Sequence, residues 1–246
     1  MNRNHAAAVV FLAASAIAPA AEQHHWGYSG EAAPENWSKL DPAFAACSAG
    51  RSQSPVDLPR NAKAESGKIG FAYKQGGKAI LNNGHTVQVD YAPGSVLTLD
   101  GHAYELKQFH FHAPSENTID GKRFPMEAHL VHADKDGHLA VVAVMFTDGK
   151  ASPFVDSLWA AIPAKEGEPK PLAEPLDASG LLPASHRHYR FAGSLTTPPC
   201  SEGVTWIVLT QPQSASKAQV AKFSGTLGFA NNRPVQPLNA RAVVLE

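Results

Sequence analysis

The stretch QFHFHAPSEN, residues 108–117, alternates histidine with phenylalanine over its first half. Successive side chains of a β-strand point to opposite faces. As a strand, this segment therefore places Gln108, His110 and His112 on one face and both phenylalanines on the other. The pattern predicts a strand that anchors aromatic side chains in a core and presents two imidazoles from its other face.

The next apolar run, MEAHLVHAD, supplies a third histidine with the same alternation. If the two runs pair as antiparallel strands, His129 lies within reach of His110 and His112. Three neutral imidazoles with no fourth protein ligand are typical of a catalytic zinc site, which keeps one position open. The spacing thus predicts a Zn²⁺ site, although three histidines also accept cobalt or iron.

Hydrogen-bond acceptors accompany two of these three histidines. A metal-bound histidine usually donates its second ring N–H to a fixed acceptor. Gln108 precedes His110 by two residues on the same face, and Glu127 precedes His129 in the same way. A histidine at alternate spacing is more often an ordinary core or surface residue, so these paired acceptors carry much of the argument. Seven of the other histidines after the first twenty residues are predicted to be surface or structural: His24, His25, His102, His132, His138, His186 and His188.

From residue 69 onward the chain consists of short β-branched or aromatic runs separated by Gly, Asn, Asp and Pro, which predicts a β-rich fold. DKDG, residues 134–137, is typical of a hairpin turn. Residues 152–163 and 214–227 have the apolar spacing of helices, the first with Ser152 as N-cap. The proline-rich segment 164–177 between them is predicted to be a loop.

Composition and the N-terminus restrict the class of protein. The 246 residues are 43% hydrophobic and 17% charged, with a net charge of −1, and nothing resembles the basic patch that nucleic-acid binding needs. Residues 1–20 combine an early arginine, an apolar run and an Ala-Pro-Ala ending, which predicts a secretory signal peptide. A membrane anchor is the alternative, but the run of about 13 residues is shorter than the roughly 20 that a bilayer span needs. No later segment is predicted to span a membrane.

The two cysteines, Cys47 and Cys200, both follow the predicted leader. Export implies an oxidising compartment, which favours a disulfide. Such a bond would close a loop of about 150 residues and contribute about 4–5 kcal/mol of chain entropy. A pair of buried thiols remains the alternative, and two cysteines cannot form a four-cysteine zinc site.

Eight motifs occur in one order from His25 to the C-terminus: HWGY, QSPVDL, NNGHTVQV, QFHFHAPSENTIDG, EAHLVH, LAVVAVMF, GSLTTPPCSEGVTWIVL and NNRPVQPL. Together they resemble the α-class carbonic anhydrases, in particular their secreted bacterial members. The resemblance implies a mainly β (α+β) catalytic domain over residues 21–246. That domain would be built on a large, twisted, mostly antiparallel sheet of about ten strands with short peripheral helices. It also implies a periplasmic or secreted location and a possible homodimer.

The resemblance also implies the reaction and its principal residues. Zinc held by the three histidines would carry a hydroxide that attacks CO₂ to give bicarbonate, releasing a proton in each turnover. Thr196 would orient the hydroxide by donating its own proton to Glu116. His85 would shuttle the released proton to buffer.

Further residues take roles by resemblance alone. The residues expected to order water are Tyr28, Asn83, Gln88 and Thr197, with Gln88 standing where the family frequently has Asn. The residues expected to form an apolar wall for CO₂, beside Thr197, are Val131, Val141, Leu195, Val204 and Trp206. Val131 also follows from alternation, since it shares the face of His129. A backbone carbonyl near Asn231 is expected to support the middle ligand. The cysteine pair matches the disulfide of secreted bacterial members, which would steady the loop carrying Thr196.

Two other functions compete with this interpretation. Proteins of this fold that lose zinc ligands become binding modules, but here the three histidines, Glu116 and Thr196 are all present. A zinc esterase would use the same nucleophile on an activated ester. However, neither a serine nucleophile elbow nor an HExxH motif occurs in the sequence.

Overall fold

The computed structural model describes residues 25–246, so the predicted signal peptide, residues 1–20, lies outside the described residues. The strands are β1 (Asp57–Leu58), β2 (Lys63–Ala64), β3 (Ile69–Ala72), β4 (Gly77–Asn82), β5 (Val87–Tyr91), β6 (Val96–Leu99), β7 (His102–His112), β8 (Thr118–Ile119), β9 (Met126–Ala133), β10 (Leu139–Asp148), β11 (Lys170–Leu176), β12 (His188–Ser194), β13 (Glu202–Leu209), β14 (Gln213–Ala215) and β15 (Val244–Leu245). The α-helices of the described residues are α1 (Trp37–Leu40), α2 (Ala46–Ala49), α3 (Pro153–Ala160) and α4 (Lys217–Leu227). Short 3₁₀ turns cover Gly30–Ala32, Pro34–Asn36, Pro42–Phe44 and Ala178–Leu181.

One sheet of thirteen strands organises the described residues. Ten of its strands form a continuous path in the order β11-β4-β5-β7-β9-β10-β13-β12-β15-β2, and β3, β6 and β14 pair beside it. Most pairings are antiparallel; β10 pairs in parallel with β13 and β14, and β15 with β2. The predicted large, mostly antiparallel sheet with short helices is confirmed.

The central strands β7 and β9 separate an apolar core from a polar site. Phe109, Phe111 and Leu130 are fully buried in the main hydrophobic cluster, together with Trp159 of α3 and Phe223 of α4. The intervening residues of both strands point the other way. Burial of the aromatic face therefore sets the orientation of the histidine face, because a shift of one residue would exchange the two.

The helices follow the capping residues in the sequence. Ser152 caps α3 by accepting a hydrogen bond from the Val155 backbone N–H, at 3.3 Å. Ser216 and Gln219 form a reciprocal capping box at the start of α4. Gly228, with a φ of +80°, ends that helix in the left-handed region that glycine tolerates.

The loop prediction for residues 164–177 is wrong in its second half. Residues 170–176 form β11, which pairs with β4 at the edge of the sheet. Proline lacks a backbone donor, but an edge strand needs donors on one side only. The pairing register shifts between Pro171 and Leu176, as expected for a strand interrupted by proline.

A disulfide joins Cys47 of α2 to Cys200, which lies between β12 and β13, with their Cα atoms 5.0 Å apart. The bond therefore ties the N-terminal segment to the loop that follows β12. Among residues 25–246, no helix is both long enough and apolar enough to cross a membrane.

Candidate metal centre

The three predicted ligands meet on one face of β7 and β9. His110 lies directly opposite His129 in the antiparallel register. The ring centroids are 5.1 Å apart for His110 and His112, 5.4 Å for His110 and His129, and 4.5 Å for His112 and His129. One nitrogen of each ring lies within 4.8 Å of one nitrogen of each of the others. The predicted strand pairing brings all three imidazoles together.

Each of these imidazoles donates one ring N–H to a fixed oxygen. The three contacts are His110 Nδ1 to Gln108 Oε1 at 2.8 Å, His112 Nδ1 to the Asn231 carbonyl at 2.7 Å, and His129 Nε2 to Glu127 Oε1 at 2.9 Å. These oxygens act as acceptors, so the bonded nitrogens carry the hydrogens. The remaining nitrogens, His110 Nε2, His112 Nε2 and His129 Nδ1, keep their lone pairs.

Burial keeps the three rings neutral. It lowers the pKa of His110 and His129 well below the ordinary histidine value, with neighbouring rings adding to the effect, and it lowers the pKa of His112 as well. His112 Nε2 is buried and has no hydrogen-bond partner among the described residues. Neutral imidazoles with inward lone pairs fit a zinc ion.

Glu127 organises more than His129. Its carboxylate also accepts the backbone N–H groups of Glu116 and Asn117, at 2.7 and 2.9 Å, and the Asn117 side-chain amide at 2.7 Å. Asn117 thus holds the carboxylate that orients His129. Sequence reasoning gave Asn117 no role, and its position directly after Glu116 was the only available signal.

Glu116 is buried beside the ligands, and Thr196 lies next to it. Glu116 Oε2 is 3.6 Å from His112 Nε2 and 3.9 Å from His129 Nδ1, while Oε1 accepts the Arg233 backbone N–H at 2.8 Å. Burial raises the pKa of Glu116 to about 8, against the opposing effect of the Arg233 backbone N–H and the nearby Thr196 hydroxyl. The structure therefore places Thr196 near Glu116, and the hydrogen bond between them stays a prediction.

Arg233 is a residue that sequence reasoning missed. Its guanidinium is almost fully buried and donates to Gln53 Oε1 and to the carbonyls of Ser54 and Cys47, at 2.8–2.9 Å. Its backbone N–H meanwhile holds Glu116. Arg233 therefore links the disulfide-bonded helix to the centre, and only its place in the NNRPVQPL motif hinted at this.

A cavity of about 140 Å³ opens beside His110 and His112. Its lining contains every residue predicted to order water or carry protons, namely Tyr28, Asn83, His85, Gln88 and Thr197, and also Trp26, Thr86 and Gln108. The ring of His85 stacks on Trp26 with centroids 3.8 Å apart and planes 10° apart. Partial burial lowers the pKa of His85, with His25 adding to the effect. Trp26 had no predicted role, although it lies in the HWGY motif.

The predicted apolar wall forms one hydrophobic cluster next to the ligands. Its buried members include Val141, Val204 and Trp206, and Val131 and Leu195 pack against them. The Trp206 ring lies 4.9 Å from that of His129. The cluster therefore adjoins the metal-ligand face.

Comparison with known proteins agrees with this geometry. The family described as eukaryotic-type carbonic anhydrase matches residues 32–246. A carbonic anhydrase of Pectobacterium carotovorum is 47% identical over 92% of this chain and 93% of its own length. The α-carbonic anhydrase of Thermovibrio ammonificans, solved with the inhibitor sulfanilamide, superposes with a TM-score of 0.88 at 46% identity, covering 90% of this chain and 99% of that one. A hyperthermostable carbonic anhydrase from a hydrothermal vent chimney gives 0.87 at 51% identity, with the same two coverages. The chain therefore belongs to the α-class, or eukaryotic-type, carbonic anhydrase family of enzymes.

Proposed function

We propose that this enzyme catalyses the reversible hydration of CO₂ to bicarbonate and a proton with Zn²⁺ held by His110, His112 and His129. The supporting observation is the set of three buried imidazoles, each with one nitrogen tied to an acceptor and the other facing its neighbours. When bound, Zn²⁺ lowers the pKa of a coordinated water to about 7 and so supplies a nucleophile at neutral pH.

Gln108, Glu127 and the Asn231 carbonyl keep the ligands in the required tautomers. Because each acceptor fixes one N–H, each ring can turn only its lone pair toward the metal. This arrangement lowers the reorganisation needed on binding, and it strengthens the donor nitrogens through the partial negative charge of the acceptors.

Thr196 and Glu116 supply direction. A carboxylate that accepts the Thr196 proton leaves the threonine oxygen only an acceptor role toward the reacting group. The positive charge of a metal ion bound by the three histidines would favour the ionised form of Glu116, which burial alone disfavours. The pair then selects a nucleophile that has a proton to donate.

His85 carries protons between the cavity and solvent. It is half-buried, stacks on Trp26 and lines the same cavity as His110 and His112. Water ordered by the polar lining would bridge the gap from the ligands to this ring. Since partial burial lowers the pKa of His85, the ring releases its proton readily at neutral pH.

The apolar cluster beside His129 receives the substrate. CO₂ carries no charge, so a wall of valine, leucine and tryptophan side chains binds it without competition from ordered water. Trp206 donates its indole N–H to the Ser194 carbonyl at 3.0 Å, which positions the ring at the edge of this wall.

We also infer that the enzyme works outside the cytoplasm, in the periplasm or as a secreted protein. The Cys47–Cys200 disulfide favours an oxidising compartment, and the signal-peptide pattern of residues 1–20 agrees with export. A homodimer stays a prediction of the family resemblance, to be measured by analytical ultracentrifugation.

The disulfide is expected to steady the Thr196 loop as well as the fold. The Gln53 amide donates to the Cys200 carbonyl at 3.0 Å, and Cys47 is held by Arg233, so the bond joins two segments that also meet through hydrogen bonds. A Cys47→Ser/Cys200→Ser variant should lose both thermal stability and turnover. Unchanged turnover and stability would contradict this role.

Stopped-flow CO₂ hydration with a pH indicator tests the proposed function. The protein without residues 1–20 is assayed as prepared, after metal removal by a chelator, and after zinc is restored. Activity that vanishes and returns with zinc is expected. No hydration from folded, zinc-loaded protein would overturn the proposal, and a kcat/KM higher for a nitrophenyl ester than for CO₂ would favour the esterase.

A further inference from the structure

A second group of metal-binding side chains lies at the turn between β9 and β10. Asp134 opens this turn, and its side chain is only 2% exposed. Its Oδ1 accepts the backbone N–H groups of Asp136 and His138, both at 2.8 Å. These contacts stabilise the turn and involve one carboxylate oxygen only.

The other oxygen, Asp134 Oδ2, faces two imidazoles. His138 Nδ1 and His102 Nε2 each lie 2.9 Å from it. His138 belongs to the same turn, whereas His102 begins β7 on the neighbouring hairpin. Their side chains are 71% and 52% exposed, so ions in solvent can reach both rings.

Asp136, an exposed carboxylate that also pairs with Lys135 at 2.5 Å, adds a further donor group. One ligand atom each from Asp134, Asp136 and His138 lies within 4.8 Å of the other two, whereas His102 lies outside this group and meets it through Asp134. Donor atoms on one tetrahedral zinc ion are about 3.4 Å apart, given bonds near 2.1 Å. Binding therefore needs the two 2.9 Å contacts to open by roughly half an ångström and the exposed His102 ring to turn toward the other donors.

The chemistry of these donors favours a transition metal. Imidazole nitrogen suits Zn²⁺, Cu²⁺ and Ni²⁺, whereas Ca²⁺ and Mg²⁺ prefer oxygen alone. The carboxylate charge is available, because hydrogen bonds from His102 and His138 hold the pKa of Asp134 well below its ordinary value. Metal binding would replace two N–H donors by two lone pairs, a change of tautomer that a neutral imidazole makes freely.

This group is separate from the catalytic centre. His102 precedes His110 by eight residues of the same strand, and a strand rises about 3.3 Å per residue, which places the two roughly 26 Å apart. An ion here would therefore act on the two hairpins that it joins and not on the reacting atoms.

We propose that Asp134, Asp136 and His138, completed by His102 from the neighbouring hairpin, form a second binding site for a divalent transition-metal ion such as Zn²⁺ or Cu²⁺. The ion clips the hairpin between β6 and β7 to the hairpin between β9 and β10. The proposal of this site does not depend on the proposed function, so each can be contradicted without the other.

The test is a titration of the holoenzyme, already loaded with one zinc, by isothermal calorimetry with ZnCl₂. The expected result is one further equivalent, whose affinity falls at least about tenfold in His102→Ala and in His138→Ala. His186→Ala, a histidine outside the group, serves as the matched control and should bind as the wild type does. CO₂ hydration by each variant verifies that it is folded.

Cu²⁺ electron paramagnetic resonance gives an independent readout. Hyperfine structure from two coordinated nitrogens is expected in the zinc-loaded wild type, and its loss is expected in the His102→Ala/His138→Ala double variant. A stoichiometry that stays at one metal per chain would overturn the proposal. Equal binding by the double variant would do the same, since it would identify adventitious surface binding.

Discussion

The two faces of β9 carry histidines with different fates. His132, on the core face, uses both ring nitrogens: Nδ1 donates to the Ala140 carbonyl at 3.2 Å, and Nε2 accepts from the Tyr73 hydroxyl at 2.7 Å. His129, three residues earlier on the other face, uses only one nitrogen, which donates to Glu127. Burial lowers the pKa of both rings, so both are neutral.

The difference shows that burial and neutrality do not by themselves make a histidine a ligand. A buried imidazole with two partners is a satisfied structural group. A buried imidazole with one partner keeps a nitrogen lone pair without a hydrogen-bond donor. Three such rings on one face can bind a metal ion. The number of ring nitrogens with a hydrogen-bond partner separates the two cases. The predictions below test this difference at the three-histidine centre and at His132.

The largest effect on catalysis is expected from removing one imidazole of the three-histidine centre. His129→Ala should lower kcat/KM for CO₂ hydration by well over about 100-fold, because losing a ligand costs more than losing its supporting acceptor. The measurement is stopped-flow hydration with zinc content determined in parallel. His186→Ala is the control, and near-wild-type activity of His129→Ala would contradict the assigned ligand set.

Removing the directing hydroxyl should have the next largest effect. Thr196→Val keeps the shape of the side chain but cannot donate to Glu116, so kcat/KM should fall by about 100-fold. Zinc content should not change, since no ligand is touched. Thr226→Val, on the exposed surface of α4, is the control. Loss of zinc together with activity would assign Thr196 a structural role instead.

His132, on the core face of β9, should make the free energy of unfolding depend on pH. Burial lowers the pKa of His132 to about 4, while an unfolded histidine titrates near 6.5. Between about pH 6.5 and 4, His132 is protonated in the unfolded chain but stays neutral in the native protein. Stability should therefore fall as the pH drops from about 6.5 to 4, by about 3 kcal/mol in total.

Substitution of His132 isolates its contribution to the pH dependence of stability. His132→Gln retains polar groups for Tyr73 and Ala140 and does not titrate, so its unfolding free energy should depend less on pH between 6.5 and 4. Denaturant unfolding of both proteins at pH 7, 5 and 4 gives the comparison. If the unfolding free energies of the two proteins depend on pH in the same way, His132 takes up its proton as readily in the native state as in the unfolded chain.

The smallest effect is expected at a supporting acceptor. Gln108→Leu removes the oxygen that fixes the His110 tautomer, so zinc affinity should weaken by about tenfold. Gln108→Glu keeps an acceptor in the same place and should restore most of the affinity. Competition with a chelator of known affinity measures both, and equal affinities for the two variants would exclude a role for the acceptor.

Alternation in two short runs of the sequence by itself determined much of this protein. The period of two placed His110, His112 and His129 on one face together with Gln108 and Glu127, because burial of Phe109 and Phe111 permits only one orientation. Ser152 marked the start of α3 through local capping. The resemblance to a family added His85, Thr196 and the cavity lining, which spacing alone did not reveal.

The tertiary structure decided what depends on distant segments. The Asn231 carbonyl meets His112 across 119 residues, and the Arg233 backbone meets Glu116 across 117. Likewise, only the sheet order shows that residues 170–176 form an edge strand able to accept proline. Local sequence sets which face a side chain takes. Which nitrogen remains free depends on the partners that folding brings to it, since those contacts come from long-range packing that no local period encodes.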